Sequence, residues 1–275
     1  MDGKRHHLIS ADGTAIGLLT AGTGPDLLLV HGGMGCIASW APLWDRLARR
    51  CRVTAMDRRG RGSSGDTQPY DYTREFADVA AVAASLAGGD GSGSGHRDGS
   101  DGRVDVFGHS IGATFALGAA ASGAPIRRLA LYEPPGSPAA PTPWRERVIA
   151  LIAAGKPGPA MISFLTEVVG LSDTQISELR NAPRDYDVLP IVAATMPREA
   201  RALAEIDLAA LAAGVRIPVL LLLGSASPAW ARDLTGSLAA TLPQSTLVPL
   251  PGCGHEGIDA APDLVDRALA GFFAG

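Results

Sequence analysis

The chain predicts an α/β fold, a mostly parallel sheet with helices packed on both faces. Three observations carry that prediction. Short apolar runs of strand length alternate with longer amphipathic segments along much of its 275 residues, a rhythm that produces parallel strands joined by helical crossovers. The runs Leu27–Val30 and Val219–Leu223 are continuously apolar, as strands buried on both faces must be. A hydrophobic share of 46% at this length supports one large core with an insertion.

The elements follow in order. Leu8–Ile9 and Ala15–Thr20 read as an opening hairpin, and Leu27–Val30 as the third strand. Trp40–Arg49 reads as a helix, Val53–Met56 as a strand and Thr73–Leu86 as an amphipathic helix. Residues 88–102 hold no apolar side chain and read as a flexible Gly/Ser-rich loop. Val104-Asp-Val-Phe107 is the next strand and Ala113–Ala121 a small-residue helix. Leu129–Tyr132, Ile217–Gly224 and Leu247–Leu250 supply further strands, with helices over Ala229–Leu242 and Ala261–Phe273. Residues 134–214 break the alternation. A proline-rich entry leads to helical periodicity in Trp144–Ala154, Pro159–Val169, Asp173–Asn181 and Arg198–Leu211. The expected organisation is a core of residues 1–133 and 215–275, with residues 134–214 as a helical cap. Phe164, Leu165, Val168, Ile191 and Met196 would mostly pack cap against core, and a subset would line a pocket.

Chemistry concentrates at Gly108-His-Ser-Ile-Gly112. Strand, Gly-x-Ser-x-Gly and helix in immediate succession force a sharp turn that lifts Ser110 clear of the backbone, with a helix N-terminus aimed at it. In a chain with 34 glycines the bare pattern is weak, and its context makes it specific. A nucleophilic serine needs a base. His255, on a Gly-rich loop after a strand, is placed to accept its proton and return it to a leaving group. His6 and His7 lie in a polar segment, His96 lies in the Gly/Ser tract, and His109 belongs to the turn and should point away from Ser110. The loop His31-Gly-Gly-Met34 can turn backbone N–H groups toward the serine. Met34 and Ile111 are the expected donors to an oxyanion, and His31 a brace.

His31-Gly-Gly-Met34, Asp57-Arg-Arg-Gly-Arg-Gly-Ser-Ser64, Gly108-His-Ser-Ile-Gly112 and Gly252-Cys-Gly-His255 stand in one order over almost the whole chain. Together they resemble the α/β-hydrolase-fold superfamily, in particular its capped serine hydrolases (esterases, lactonases and carbon–carbon bond hydrolases). The resemblance implies an eight-stranded sheet and makes Asp57 and its arginines a structural turn. It disfavours epoxide hydrolases and dehalogenases, whose nucleophile is Asp where this chain has Ser110. It also implies an acid after the penultimate strand, where this chain has Ser227. Glu133 ends the preceding strand, and adjacent strands lie about 4.8 Å apart. Glu133 is therefore the expected acid, ahead of Asp233 within a helix; its other reading is a brace at the cap entrance.

The expected activity is hydrolysis of a small or medium apolar ester, lactone, thioester or carbon–carbon bond next to a carbonyl. The absence of Asp at 227 keeps a non-hydrolytic use open, as a cyclase, lyase or small-molecule binder. A net charge of −4 without a basic run argues against nucleic acid. No segment is apolar enough to span a bilayer, and the polar start shows no secretory signal. Three cysteines suggest free thiols in a reducing, cytoplasmic setting, with Cys36 and Cys253 lining the pocket. No metal-ligand spacing is seen and no cofactor is expected; a homodimer is left open. Two lysines among 24 basic residues, with abundant Ala and Gly, suggest a GC-rich, actinobacterium-like genome.

Overall fold

A computed structural model describes residues 1–88, 102–181 and 188–274. The expected 88–102 loop falls almost entirely outside the described residues. Eight strands form one sheet in the order β1-β2-β4-β3-β5-β6-β7-β8. They are β1 (Lys4–Ile9), β2 (Ala15–Ala21), β3 (Asp26–Val30), β4 (Arg52–Met56), β5 (Val104–His109), β6 (Ile126–Tyr132), β7 (Val219–Gly224) and β8 (Ser245–Leu250). The β1–β2 and β2–β4 pairs are antiparallel and the other five parallel. The first strand is longer than the expected Leu8–Ile9: Lys4 pairs with Thr20, so His6 and His7 are strand residues at the sheet edge. Polar side chains are tolerated there because an edge strand faces water, which hides it from a hydrophobicity pattern.

Alternate residues of each strand feed opposite core layers. Leu28 and Val30 pack with α2 (Thr73–Ala87), α3 (Ile111–Ala121) and α9 (Ala229–Thr241), while Leu27 and Leu29 pack with α1 (Ala41–Ala48) and α11 (Pro262–Phe273). This two-sided burial explains the continuous apolar runs. Short α10 (Gly257–Ala260) precedes α11. Between β6 and β7 stand α4 (Thr142–Ala153), α5 (Pro157–Ser163), α6 (Asp173–Asn181), α7 (Val188–Glu205) and α8 (Leu208–Ala213). α5 continues into a wider π-type turn over Phe164–Val169.

The expected helix Arg198–Leu211 is corrected. α7 begins ten residues earlier, runs through Pro197 and stops at Glu205, and Asp207 caps a separate α8. Proline is favoured in a first turn and costly inside a helix. Here Val192, Met196, Ala200 and Leu203 bury one face of α7, and that packing overrides the proline.

At the β5–α3 turn the glycines are sterically required. A Cβ on Gly108 would stand 2.6 Å from Ala113 Cα, and one on Gly112 2.3 Å from the His31 carbonyl oxygen. Both obstacles are backbone. Gly112→Ala is expected to cost about 2–3 kcal/mol by overpacking and to lower the melting temperature by about 5 °C or more. A melt unchanged within about 1 °C would mean that the turn relaxes freely.

Candidate active site

The carboxyl ends of β5, β6, β7 and β8 converge on one locus, where ligand sites form in open parallel sheets. Among the described residues three non-glycines have positive φ: Met34 (57°), Ser110 (54°) and Glu133 (46°). Side chains resist this backbone region, and such strain gathers at functional sites. Ser110 and Glu133 follow β5 and β6 directly, and Met34 lies on the loop after β3, the neighbour of β5.

Ser110 sits between β5 and α3, 6% exposed. Its Oγ lies 2.9 Å from His255 Nε2, and His255 Nδ1 lies 2.6 Å from Glu133 Oε2. The tautomer that satisfies both contacts carries its proton on Nδ1, so Nδ1–H donates to Glu133 and Nε2 accepts from the Ser110 hydroxyl. Parallel pairing explains Glu133's reach. Tyr132 stands beside Leu222, so the next residue on β6 comes alongside the end of β7. Glu133 Oε1 accepts from the Gly224 amide (2.7 Å) and the Ser227 hydroxyl (2.5 Å). Glu133 is fully buried. Burial alone would raise its pKa. Hydrogen bonding and charge from His255, with the Ser227 and Gly224 donors, outweigh this and hold the carboxyl below its ordinary value.

Ser227 is the residue the sequence reading undervalued. It stands where an acid was expected, yet it donates to the substitute carboxylate from a buried position. Other supports were also missed. The Tyr132 hydroxyl donates to the Gly254 carbonyl (2.5 Å), fixing the loop that carries His255, and Trp230 meets the His255 ring edge-on at 5.2 Å. Both aromatics were visible in the sequence, but no spacing tied them to a residue on another element.

His109 makes no hydrogen bond to Ser110; its Nε2–H donates to the His255 carbonyl (3.0 Å). Burial, then the neighbouring His255, pushes its pKa down to about 3, so it stays neutral. His31 accepts from the Arg58 amide (3.1 Å) while its Nδ1 contacts the Gly32 carbonyl (2.9 Å), which braces the loop. Gly32 lets that loop lie against Ser110, since a Cβ there would stand 3.0 Å from Ser110 Cβ. Ile111 opens α3, so its N–H has no intrahelical acceptor. Asp57 accepts from the amides of Ile37 and Ser63, holding a turn. Asp233 is exposed on α9. Cys36 and Cys253 do not line the pocket, contrary to expectation. Cys253 packs instead in the core layer of Tyr132, Leu222 and Ile258.

A cavity of about 30 Å³ adjoins Ser110. Met34 and Ile111 line it beside Ser110, with Trp144, Phe164, Val168 and Trp230 among its apolar walls. Six further lining residues come from α7: Val192, Thr195, Met196, Glu199, Ala200 and Leu203. Of the five apolar residues expected between cap and core, Phe164, Val168 and Met196 reach the cavity, while Leu165 packs among the helices and Ile191 lies outside the lining. Glu199 was also not anticipated. Buried arginines Arg58 and Arg61 donate to its Oε1 at 2.7 and 2.5 Å, and Arg58 also pairs with Glu75. Burial opposes the charge on Glu199, but Arg61 and Arg58 hold its carboxyl below the ordinary value.

Among the described residues no helix is long and apolar enough to cross a membrane. An α/β hydrolase structure from Sphaerobacter thermophilus is 38% identical to the chain with a TM-score of 0.80, covering 98% of this chain and 100% of that one. The N-formylmaleamate deformylase of Pseudomonas putida is 36% identical over 152 residues, 52% of this chain, so the match spans about half (52%) of that relative's length. The 2-(acetamidomethylene)succinate hydrolase of Mesorhizobium japonicum is 25% identical over 261 residues, 91% of this chain and 88% of the relative. A family model described as the alpha/beta hydrolase family matches residues 27–268, from β3 to within α11. Over so much of the core the assignment is plain: the chain belongs to the alpha/beta hydrolase family.

Proposed function

We propose that the chain is a serine hydrolase that cleaves an acyl bond: an ester, lactone, thioester, or carbon–carbon bond next to a carbonyl. The observation that carries this reading is the unbroken series of contacts from Ser110 through His255 to Glu133, at 2.9 and 2.6 Å. In the proposed cycle Ser110 Oγ attacks the substrate carbonyl as His255 Nε2 takes its proton. Glu133 holds the imidazole in the receptive tautomer and offsets the imidazolium charge. The amides of Met34 and Ile111 donate to the oxyanion. Collapse expels the leaving group, protonated by His255, and water then attacks the acyl-enzyme with His255 as base. The names of the deformylase and the succinate hydrolase extend the candidate bonds to acyl–nitrogen.

Residues 134–214 act in this reading as a cap that keeps water from the reacting carbonyl. The cavity holds about one water molecule. Substrate is therefore admitted as the apolar side chains of α7 and its neighbours move aside. The non-hydrolytic alternative rested on the serine at 227, and a carboxylate 2.6 Å from His255 supports the hydrolytic reading over it. Three buried free thiols favour a reducing, cytoplasmic setting.

A fluorophosphonate probe followed by intact mass is the direct test. One adduct per chain is expected on Ser110, and none on Ser110→Ala. Absence of labelling in the folded wild type would end the nucleophile reading.

A further inference from the structure

Glu199 is the one ionisable side chain on the cavity lining among the described residues. Its two oxygens are used unequally. Oε1 receives both guanidiniums, while Oε2 receives no hydrogen bond from the described residues. Oε2 faces the glycine loop before Met34: a Cβ on Gly33 would lie 3.6 Å from it. The arginines behind are drawn into ion pairs, with only the Arg61 Nε–H left without a partner among the described residues, and neither lines the cavity. Arg58 is divided between Glu75 and Glu199, and Arg61 between Glu199 and the Gly35 carbonyl. A bound molecule therefore meets an anionic acceptor set in apolar walls, with no cation on the lining to receive an anion. Trp144, also on the lining, carries a buried indole N–H without an acceptor. Buried indole donors ordinarily find partners, and each exception calls for a reason.

We infer that Glu199 sets substrate selectivity, accepting from an N–H on the acyl substrate and turning away substrates that carry a carboxylate. The inference rests on the serine-hydrolase reading above. The free acceptor at Glu199 matches the N–H of a secondary amide, and the unpartnered indole N–H of Trp144 belongs to a residue of the same lining. The substrate class is then a mainly apolar acyl compound with a neutral amide arm. Because two core arginines clamp Glu199, the acceptor keeps its place while the apolar walls shift.

Three p-nitrophenyl phosphonates of equal arm length test this, one with an acetamido arm, one with an alkyl arm and one with a carboxylate arm. Each needs only one chemical event: Ser110 Oγ bonds to phosphorus and p-nitrophenolate leaves, so no turnover is required. In the wild type the acetamido probe should react about tenfold or more faster than the alkyl probe, and the carboxylate probe about tenfold or more slower, as for a hydrogen bond to a charged group. Glu199→Gln presents an NH₂ in place of the acceptor and should abolish both differences. Glu199→Asp, which keeps the charge, should restore the rejection of the carboxylate arm. Equal rates for the three probes in wild type overturn the inference without any variant, as do unchanged ratios in a Glu199→Gln protein that melts cooperatively. If a plain fluorophosphonate labels Ser110 while the arms are not distinguished, only the role of Glu199 falls. If that probe fails too, the hydrolase reading falls and takes this one with it.

Discussion

Ser110→Ala is expected to lower turnover by about 10⁴-fold or more on any substrate the wild type hydrolyses, because removing a serine nucleophile disables the whole acyl-transfer sequence. The substitution deletes one oxygen and little else. The strained φ of 54° is no worse for alanine than for serine, and the backbone bonds of Ser110 to Tyr132 and Ala113 are untouched. A melting temperature within about 2 °C of wild type should therefore accompany the loss, which separates chemistry from unfolding. Residual hydrolysis should remain above background, since binding and oxyanion contacts persist. A variant that retained wild-type kcat/KM would place the nucleophile elsewhere.

Glu133→Gln should cost about 10³- to 10⁴-fold in kcat, comparable to loss of the orienting acid in a serine protease triad. The amide can still accept from Gly224 and Ser227 through its oxygen, but it then turns its NH₂ toward His255 Nδ1. Two donors facing each other favour the tautomer protonated on Nε2, which is unable to take the Ser110 proton. Ser227→Ala removes one hydrogen bond to a carboxylate that keeps two other partners, so about 10- to 100-fold is expected. The ranking is the test: a larger loss in Ser227→Ala would reverse the assignment of the acid. Stability should follow a defined sign. The folded carboxyl titrates below its ordinary value, so its contribution is present above that value and is lost as pH falls through the folded one. The melting-temperature gap between wild type and Glu133→Gln should therefore narrow from about pH 7 toward pH 3.

Much of this site was legible because it is written in local patterns. Gly-x-Ser-x-Gly between a strand and a helix specifies its own turn: Gly108 and Gly112 are required by backbone atoms within a few residues or on the adjacent strand's loop. Several buried strands announced themselves as unbroken apolar runs; the polar edge strand β1 was shortened most, and β5, β6 and β8 also run two or three residues beyond expectation. Glu133 could be named because a departure at 227 coincided with a carboxylate ending the neighbouring strand. In that case sequence position and strand order carried the same information.

What the sequence left undecided are contacts between side chains far apart in the chain. His255 meets Glu133 across 122 positions and Ser110 across 145, and the 2.6 and 2.9 Å distances exist only once the sheet order brings four strand ends together. Glu199 meets Arg58 across 141 positions. No spacing along the chain links Glu199 to either arginine; the packing of one face of α7 brings them together. Ser227 changes from a missing acid to a donor for a different acid only when Glu133 lies within 2.5 Å. The sequence by itself determined the class of fold, the turn at Ser110 and the candidate base. The tertiary structure decided which carboxylate contacts His255 and which one faces the cavity. Backbone conformation is governed by neighbours along the chain, whereas the partner of a buried charge is chosen by packing.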